Sequence, residues 1–600
     1  MRSLTQRLME MKARVHEGGW RLDNKVQEPT LACVMAGMGS WMQGHDPCGK
    51  AVLTSGELTW SRASFANVTA THVGSTFAIK WPADYRVRQL LKSMHDFVNL
   101  GDLRDRSVPE SNLALIDCRD WDNPRTLSHG EIDRQINACA RALITRGLVR
   151  GDRVAIFSLN RTELLIAYFA IMRAGFVAVP VNIKFPRETI SFILNDAEVK
   201  LAFCDAVSRP LLPVGLPTIE FDTAGSAGFD SMLDPGPFET VQPQSGQIAM
   251  VLYTSGSTGR PKGVPLSHEG QLWAVRTRVG SGNQGRHRLL VAAPLFHMNA
   301  LGIAKFVLAA GASMVLLPQF HARRYVEAIG RFRVTWLTSV PTMLALAMRE
   351  REALARTDLS SVELIRAGSA PITQSLIDEV RHVFPNANLA IAYGTTEAGP
   401  VMFGPRPGMR KPDLALGWPL PGVDVRLVGA NGNEAAEGEL WIRTPANMRG
   451  YLNLPDKTEQ VLTSDGWYKS GDVFRCDEAG AYTFVGRTDD MFVCGGENIY
   501  PSEVESMLER HCDIVQACVV PVPDEIKGEK PFAFVVLRSG AQLTEADIKR
   551  FALENAPAYQ HPRGVVFMSE LPLATTNKID REALGRLALE RWSASGSTHA

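Results

Sequence analysis

The chain lacks net charge, paired cysteines and long unbroken hydrophobic runs. Its 64 Lys and Arg residues balance 64 Asp and Glu residues, so no basic field is present to hold nucleic acid or an anionic membrane. The nine cysteines include no C-x-x-C pair, which argues against a zinc site or disulfide framework and indicates a cytoplasmic protein with reduced thiols. The longest apolar region, Leu301 to Pro318, contains Lys305 and glycines. It predicts a buried helix and strand rather than a membrane span, and the N-terminus predicts no signal peptide.

A stretch rich in glycine and hydroxyl side chains follows the apolar run Ile248–Leu252, which we predict to be a buried strand. It reads Tyr-Thr-Ser-Gly-Ser-Thr-Gly-Arg-Pro-Lys-Gly-Val over residues 253–264. Backbone N–H groups, hydroxyls and the Lys262 ammonium would converge at the end of this strand, as a polyphosphate site requires. Pro261 before the lysine and Gly263 after it exclude the G-x-x-x-x-G-K-[ST] form of P-loop. The alternative interpretation is a surface linker.

The second motif is Ala-Tyr-Gly-Thr-Thr-Glu-Ala-Gly at residues 392–399. Its aromatic ring could stack on a purine, and its hydroxyls could contact phosphate. A carboxylate among phosphate-binding groups is repulsive unless a cation accompanies it, so Glu397 is a candidate Mg²⁺ ligand. A strand-to-turn junction with a surface glutamate is the alternative.

Three more motifs follow along the chain. They are Tyr-Lys-Ser-Gly-Asp at 468–472, Gly-Arg-Thr-Asp at 486–489 and Leu-Ala-Thr-Thr-Asn-Lys-Ile-Asp-Arg at 573–581. Asp472 could accept both hydroxyls of a ribose, although an aspartate after a glycine commonly serves only the turn. Lys578 is either a catalytic cation or a solvated surface lysine. All five motifs occur in the order in which adenylate-forming enzymes carry them, and this resemblance favours the functional interpretation of each.

Together, the motifs resemble those of adenylate-forming enzymes, the superfamily of acyl-CoA synthetases, adenylation domains and beetle-type luciferases. The resemblance covers roughly residues 105–590. Asn577 stands where the family usually has glycine before the lysine, and asparagine also tolerates left-handed backbone angles. The segment Gly495–Glu505 resembles the branch of aryl- and fatty-acyl-CoA ligases, which includes 4-chlorobenzoate-CoA ligase.

The resemblance implies a role for each candidate site residue. The implied catalytic residues are Lys578, Lys262 and Glu397. The implied ATP and AMP contacts are Thr254, Ser255, Gly256, Ser257, Thr258, Gly259, Tyr393, Gly394, Thr395, Thr396, Asp472 and Arg487. The implied Mg²⁺ ligands are Thr254 and Glu397, the implied CoA contacts are Gly495 and Gly496, and the implied hinge is Asp489. The implied acyl pocket comprises His297, Gly368, Ser369 and Ala370.

The implied reaction is the ATP-dependent conversion of a fatty or aromatic monocarboxylic acid into its CoA thioester through an acyl-adenylate. Alternatives are transfer to a carrier-protein thiol, oxidation of the adenylate, and a non-catalytic protein that binds a nucleotide or acyl group. Around His297 the sequence offers Met298 and the Gly368–Ala370 turn but no evident fixed cation, which favours a monocarboxylate over a dicarboxylate. His297 could also be an ordinary core histidine.

Periodicity indicates an α/β fold class. A capping box at Ser128 begins a predicted helix that ends at Gly147, and Thr162 to Arg173 is a second helix. Apolar runs between such helices predict parallel or mixed sheets with packed helices. After about residue 420, short β runs predict a β-rich part, followed by a small α/β unit. We therefore predict a poorly patterned extension at 1–93, an acyl-adenylating domain at 105–488 and a mobile C-terminal domain at 490–590 that carries the catalytic lysine.

Overall fold

The computed structural model divides the chain into two compact units, Met1–Asp96 and Phe97–Ala600. In the first unit it describes the backbone at residues 50–54, 57–61, 67–72 and 75–80, and in the second it describes residues 97–223, 225, 228–254, 260–280, 284–400, 402–574 and 578–596. The first unit contains two antiparallel hairpins, β1 (Lys50–Thr54) with β2 (Glu57–Ser61) and β3 (Asn67–His72) with β4 (Ser75–Lys80). Sequence patterning predicted no element there, because such short strands leave little periodicity.

The first sheet of the second unit has six strands in the order β10-β9-β7-β8-β11-β12. They are β7 (Arg153–Phe157), β8 (Val177–Pro180), β9 (Val199–Cys204), β10 (Thr218–Glu220), β11 (Ile248–Thr254) and β12 (Lys262–Ser267). Neighbours are parallel except β11 and β12, which are antiparallel with Thr254 opposite Lys262. The strand predicted at Ile248–Leu252 is confirmed, and the glycine-rich stretch connects β11 to β12.

The second sheet has seven strands in the order β17-β16-β15-β13-β14-β5-β6. They are β5 (Leu113–Asp117), β6 (Arg125–Ser128), β13 (Arg288–Val291), β14 (Ser313–Leu316), β15 (Trp336–Ser339), β16 (Leu364–Gly368) and β17 (Asn388–Ala392). All neighbours are parallel except β5 and β6. The carboxyl ends of β15, β16 and β17 therefore meet at one edge of the sheet.

Helices cover both sheets, as the alternating pattern predicted. They are α1 (His129–Ile144), α2 (Thr162–Arg173), α3 (Arg187–Asp196), α4 (Phe229–Met232), α5 (His268–Val279), α6 (Met298–Ala310), α7 (Ala322–Phe332), α8 (Pro341–Arg349), α9 (Arg351–Arg356) and α10 (Gln374–Val383). The predicted capping box holds the start of α1, with Ser128 accepting from the backbone N–H of Glu131. Helix α2 is apolar on nearly every face, and it packs in a core that includes side chains from β7 and β13.

The β-rich part is an antiparallel sheet in the order β18-β19-β23-β22-β21-β20. Its elements are β18 (Phe403–Gly404), β19 (Ala415–Pro419), β20 (Asp424–Val428), β21 (Glu437–Arg443), α11 (Pro455–Val461), β22 (Tyr468–Cys476) and β23 (Tyr482–Arg487). Asp472 on β22 stands directly opposite Arg487 on β23.

The last part of the chain is a small α/β arrangement. Its elements are β24 (Phe492–Cys494), β25 (Glu497–Ile499), α12 (Pro501–Leu508), β26 (Ile514–Asp524), β27 (Gly528–Leu537), α13 (Glu545–Asn555), β28 (Gly564–Met568) and α14 (Arg581–Gly596). Strand β27 pairs with β24, β26 and β28. The predicted fold class, with parallel and mixed sheets, a β-rich part and a small final α/β unit, is confirmed.

The apolar region from Leu301 to Pro318 forms the buried helix α6 and the buried strand β14, as predicted. In the described parts of the chain, no helix combines the length and the apolar character needed to cross a bilayer. The boundaries of the three predicted domains remain predictions.

Candidate functional site

A cleft of about 1840 Å³ opens where the carboxyl ends of β15, β16 and β17 approach the β-rich sheet and the final α/β unit. Ligands of open α/β sheets commonly bind outside the carboxyl ends of the strands. The walls include residues from each of the five motifs, among them Thr254, Lys262, Glu397, Asp472 and Lys578. The cleft therefore gathers residues that are far apart in the sequence.

The ends of the glycine-rich loop lie in this cleft. Thr254 and Lys262 face each other across the β11–β12 pair, and both line the cleft. The Thr254 hydroxyl oxygen is buried and has no hydrogen-bond partner within the described chain. The Lys262 ammonium lies 4.7 Å from the centre of the Tyr451 ring. The intervening candidates lie outside the described residues; these are Ser255, Gly256, Ser257, Thr258 and Gly259.

A paired network forms around Asp472. The Tyr393 hydroxyl donates to Asp472 Oδ2 at 2.5 Å, and Arg487 Nη1 donates to Asp472 Oδ1 at 2.6 Å. Arg487 also donates to Asp489 at 3.3 Å. Burial raises the pKa of Asp472, while Arg487, Tyr393 and Lys578 oppose the rise. The antiparallel register of β22 and β23 sets this geometry before any ligand arrives.

The buried Glu397 forms a second cluster with the buried Tyr451 and the half-buried Lys262. The Tyr451 hydroxyl donates to Glu397 Oε1 at 3.1 Å. Burial raises the pKa of Glu397, whereas the Tyr451 hydrogen bond and the nearby Lys262 charge oppose that rise. Sequence analysis missed Tyr451, because a tyrosine in a loop outside every motif gives no signal of a contact with Glu397.

Glu397 lies in a turn formed by residues 395–399. The backbone groups of Thr395 and Gly399 form two reciprocal hydrogen bonds of 3.0 Å that close this turn, and the Thr395 hydroxyl accepts from the Ala398 N–H at 3.0 Å. A Cβ on Gly394 would lie 2.5 Å from the carbonyl carbon of Pro400, so only glycine fits there. Thr396 lines the cleft. Thr395 also lines the cleft, but its hydroxyl already serves the turn.

The predicted acyl-pocket residues lie together on another part of the wall. His297 immediately precedes α6, and its Nε2 is buried with no partner among the residues described. Burial, together with the charge of Lys578, lowers the pKa of His297 to about 4. A Cβ on Gly368 would lie 2.7 Å from the Ala392 carbonyl oxygen, and Ser369 adopts a left-handed φ of 69°. Ala370 completes this turn and lines the cleft with them.

The expectation that this wall lacks a fixed cation is wrong. Arg278 of α5 and Arg366 of β16 both line the cleft. Burial lowers the pKa of Arg366 to about 10, and its Nη2 donates to the Pro400 carbonyl at 3.3 Å. Sequence analysis missed Arg278 because α5 carries polar residues on every face, so periodicity did not indicate which face is turned inward.

Lys578 enters the same cleft from the final α/β unit. Its backbone carbonyl accepts a hydrogen bond from the Ala574 N–H at 2.7 Å. Lys578 is exposed within the open cleft. The protein around it nevertheless displaces much of the surrounding water, and this desolvation lowers the pKa of Lys578. Asp472 opposes this effect and Arg487 adds to it. Lys578 is thus in electrostatic contact with both the Asp472 network and His297.

The loop that carries Lys578 is anchored by Arg581. The two terminal nitrogens of Arg581 each bond one oxygen of Glu505 at 2.6 Å, and Nη1 also donates to the Val519 carbonyl at 3.1 Å. The bidentate pair connects Arg581 to α12, and the bond to Val519 connects it to β26. Sequence analysis assigned no role to Arg581 or Glu505.

The predicted hinge and CoA residues lie beyond β23. Asp489 is in the segment that connects β23 to β24, and it lines the cleft. Gly495 and Gly496 form the β24–β25 turn with φ of 62° and 92°, and Gly495 donates to the Lys527 carbonyl at 2.9 Å. Neither glycine is among the residues that line the cleft. The structure therefore brings Lys578, and not this glycine pair, to the site.

Comparisons with known proteins agree with this geometry. A family model described as AMP-binding enzyme matches residues 105–452, and one described as AMP-binding enzyme C-terminal domain matches 503–578. The fatty acid–[acyl-carrier-protein] ligase ScoC of Streptomyces coeruleorubidus is 33% identical over 77% of this chain and 91% of its own. The 4-coumarate–CoA ligase 5 of Oryza sativa subsp. japonica is 31% identical over 82% and 94%. The crystal structure of the anthranilate CoA ligase AuaEII with anthranoyl-AMP is 27% identical, with a TM-score of 0.76 and coverage of 82% and 98%.

Proposed function

The chain belongs to the AMP-binding enzyme family, and we propose that it uses ATP to join a carboxylic acid to coenzyme A through an acyl-adenylate. One observation carries the proposal. Lys578, from the final α/β unit, lies in one cleft with the Asp472 network and with His297. A cation in that position can meet the carboxylate of the acid and the α-phosphate of ATP at the same time. The names of the relatives support an aromatic or fatty acid as the substrate.

In the first half-reaction, a carboxylate oxygen of the acid bonds to the α-phosphorus of ATP, and the bond from that phosphorus to the departing pyrophosphate breaks. A general base is not needed, because the carboxylate is ionised near neutral pH. The barrier comes from bringing two anions together, so positioning and charge neutralisation dominate. Lys578 bridges the two reacting groups, and Lys262 with the amides of the glycine-rich loop holds the pyrophosphate.

The nucleotide lies against the Asp472 network. Asp472 accepts hydrogen bonds from the ribose hydroxyls. Arg487 contacts the ribose or a phosphate, and the Tyr393 ring flanks the adenine. Thr396 contacts the α-phosphate. The existing hydrogen bonds from Tyr393 and Arg487 to Asp472 support these roles, because they fix the carboxylate in place.

Thr254 and Glu397 fit a magnesium ion. The Thr254 hydroxyl is a buried oxygen without a partner in the described chain, and the buried Glu397 carboxylate would gain from a neighbouring cation. When bound, Mg²⁺ supplies positive charge to the phosphates. The Tyr451 hydrogen bond orients Glu397 for this contact.

In the second half-reaction, the sulfur of CoA bonds to the acyl carbon, the bond from that carbon to AMP breaks, and the thiol proton passes to solvent. Lys578 must first leave the cleft. We propose that residues 490–590 form a mobile domain on the adenylating domain at 105–488, and that they rotate about Asp489. This rotation replaces Lys578 by Gly495 and Gly496, whose turn gives pantetheine a face without side chains.

A carrier-protein thiol is the second candidate acceptor. The similarity to a fatty acid–[acyl-carrier-protein] ligase favours it as an alternative to CoA.

The cysteines support the predicted cytoplasmic location, because the seven that the structure describes are all free.

The test has two stages. Acid-dependent exchange of labelled pyrophosphate into ATP is expected with the full-length chain, Mg²⁺ and a panel of fatty and aromatic acids. No exchange with any acid would favour a non-catalytic binder. Addition of CoA to the active acids is then expected to give a thioester and AMP, detected by mass spectrometry. Thioester formation only with an added carrier protein would reassign the acceptor.

A further inference from the structure

The nitrogens of the Arg278 guanidinium group are buried in the cleft wall and have no hydrogen-bond partner in the part of the chain that the structure describes. Its Nε, Nη1 and Nη2 atoms are all inaccessible to solvent, and none has a hydrogen-bond partner among the described residues. A guanidinium carries five N–H donors and cannot be deprotonated in a protein. Leaving such a charge buried and unpaired is costly, so a group supplied by a ligand would be strongly favoured here.

Two other buried cations of the same fold, Arg173 and Lys305, are paired. Arg173 donates to Asp133 at 2.9 Å, to Asn137 at 2.6 Å and to the Gly101 carbonyl at 2.8 Å. Lys305 donates to Gln271 at 2.7 Å, and burial lowers the pKa of Lys305 to about 7, so it can also lose its proton. Arg278 has no hydrogen-bond partner among the described residues, and its guanidinium cannot lose a proton. Arg278 lines the cleft, whereas Lys305 does not.

The position of Arg278 relates it to the acyl pocket. Its Nη1 would be 3.0 Å from a Cβ on Gly302, and its guanidinium carbon lies 6.0 Å from the centre of the Phe306 ring. Gly302 and Phe306 are one turn apart on α6, the helix that begins directly after His297. Because a helix rises about 1.5 Å per residue, the guanidinium contacts α6 roughly 7 Å beyond His297 along the helix axis.

We propose that Arg278 binds an anionic oxygen at the far end of the acyl substrate, so that this enzyme prefers short acids with a second carboxylate. The inference rests on the proposed function, since it assigns the tail of the acid whose first carboxylate is adenylated beside His297 and Lys578. Hexanedioate and benzene-1,4-dicarboxylate are suitable probes, because the separation of their two carboxylates is comparable to that advance of roughly 7 Å along α6. Arg278 then pairs with both oxygens of the second carboxylate, as the guanidinium fork favours.

The experiment compares matched acids in acid-dependent pyrophosphate exchange. For the unaltered protein, kcat/KM is expected to be about 100-fold higher for hexanedioate than for hexanoate, and likewise for benzene-1,4-dicarboxylate than for benzoate, because hydrogen bonds to a buried charge discriminate by roughly this factor. Arg278→Met should remove or invert the preference, and Arg278→Lys should restore part of it. Lys305→Met, which removes a buried cation of the same helix pair outside the cleft, should leave the ratio unchanged.

The outcomes separate the two proposals. Equal use of both acids of each pair by the unaltered protein overturns the assignment of Arg278 while the proposed function stands. A fall in kcat/KM for ATP that is the same for every acid in Arg278→Met would instead place this residue at the phosphates. Failure of all acids to support exchange overturns the proposed function itself. The comparison within the unaltered protein does not depend on whether the variants fold.

Discussion

The two ends of the cleft differ in how their polar side chains are paired. At one, here called the paired end (Tyr393, Asp472 and Arg487), the side chains hold each other through hydrogen bonds of 2.5 and 2.6 Å. At the other, the open end (His297 and Arg278), buried nitrogens have no partner in the described chain. A paired site is rigid and suits a ligand that never changes, such as ATP. Unpaired side chains can form hydrogen bonds with the substrate, so we expect the open end to determine which acid the protein prefers.

The largest effect is expected from Lys578, which is in electrostatic contact with both ends. Lys578→Ala should lower the rate of acyl-adenylate formation by about 1000-fold, the upper range for loss of one charge-stabilising donor. Thioester formation from supplied acyl-AMP and CoA should be spared, because the proposed mechanism has Lys578 leave the cleft before that half-reaction. Rapid-quench measurement of each half-reaction checks this. An equal loss in both would contradict the assigned role.

Asp472→Asn is expected to weaken the hydrogen bonds among Tyr393, Asp472 and Arg487 at the paired end. It removes the charge that holds Arg487 and one acceptor of the Tyr393 hydroxyl, so kcat/KM for ATP should fall by about 100-fold. The ratio of kcat/KM values between acids should not change, because the open end is intact. Asp424→Asn is the matched control, since Asp424 forms an exposed ion pair with Arg443 on the same sheet. A change in acid preference in Asp472→Asn would show that the ends are coupled.

A third variant tests whether the small unit moves. Asp489→Pro should restrict the backbone at the proposed hinge and slow thioester formation by at least about tenfold, while adenylation continues. Asp489→Ala serves as the control, because it removes the carboxylate but leaves the backbone free. Single-turnover assays of the two half-reactions give the comparison. If both half-reactions ran at normal rates in Asp489→Pro, the hinge would have to lie elsewhere.

The smallest effect concerns pH at the open end. The pKa of His297 is about 4 in the folded protein, so its imidazole is neutral between pH 5 and 8. His297→Gln should therefore lower kcat/KM only a few-fold, roughly the value of one neutral hydrogen bond, with no change in the shape of the pH–rate profile over that range. A profile that lost an inflection would indicate that His297 titrates during catalysis.

The same depressed pKa has a consequence for stability. The unfolded chain binds a proton at His297 near pH 6.5, whereas the folded chain does so only near pH 4. Its contribution to stability is therefore present above pH 6.5 and is lost as the pH falls toward 4. His297→Gln should reduce the fall in Tm across this window, and thermal melts at stepped pH values measure it.

Sequence patterning predicted the elements whose signals are local. The capping box at Ser128, the mostly apolar helix α2 and the strand before the glycine-rich loop all occur where expected. Each depends on spacing within one segment, which the sequence displays directly. Patterning could not indicate that Tyr451 reaches Glu397, or that the inward face of α5 carries Arg278, because those contacts depend on how whole elements pack.

The sequence by itself determined the family and the chemistry to expect, because the five motifs and their order resemble those of adenylate-forming enzymes. Only the tertiary structure decided that Lys578 lines the same cleft as Asp472 while Gly495 does not, and that Arg278 of α5 also lines this cleft. The physical reason is that periodicity reports which face of a segment is buried, whereas the partner of that face depends on register and packing throughout the core.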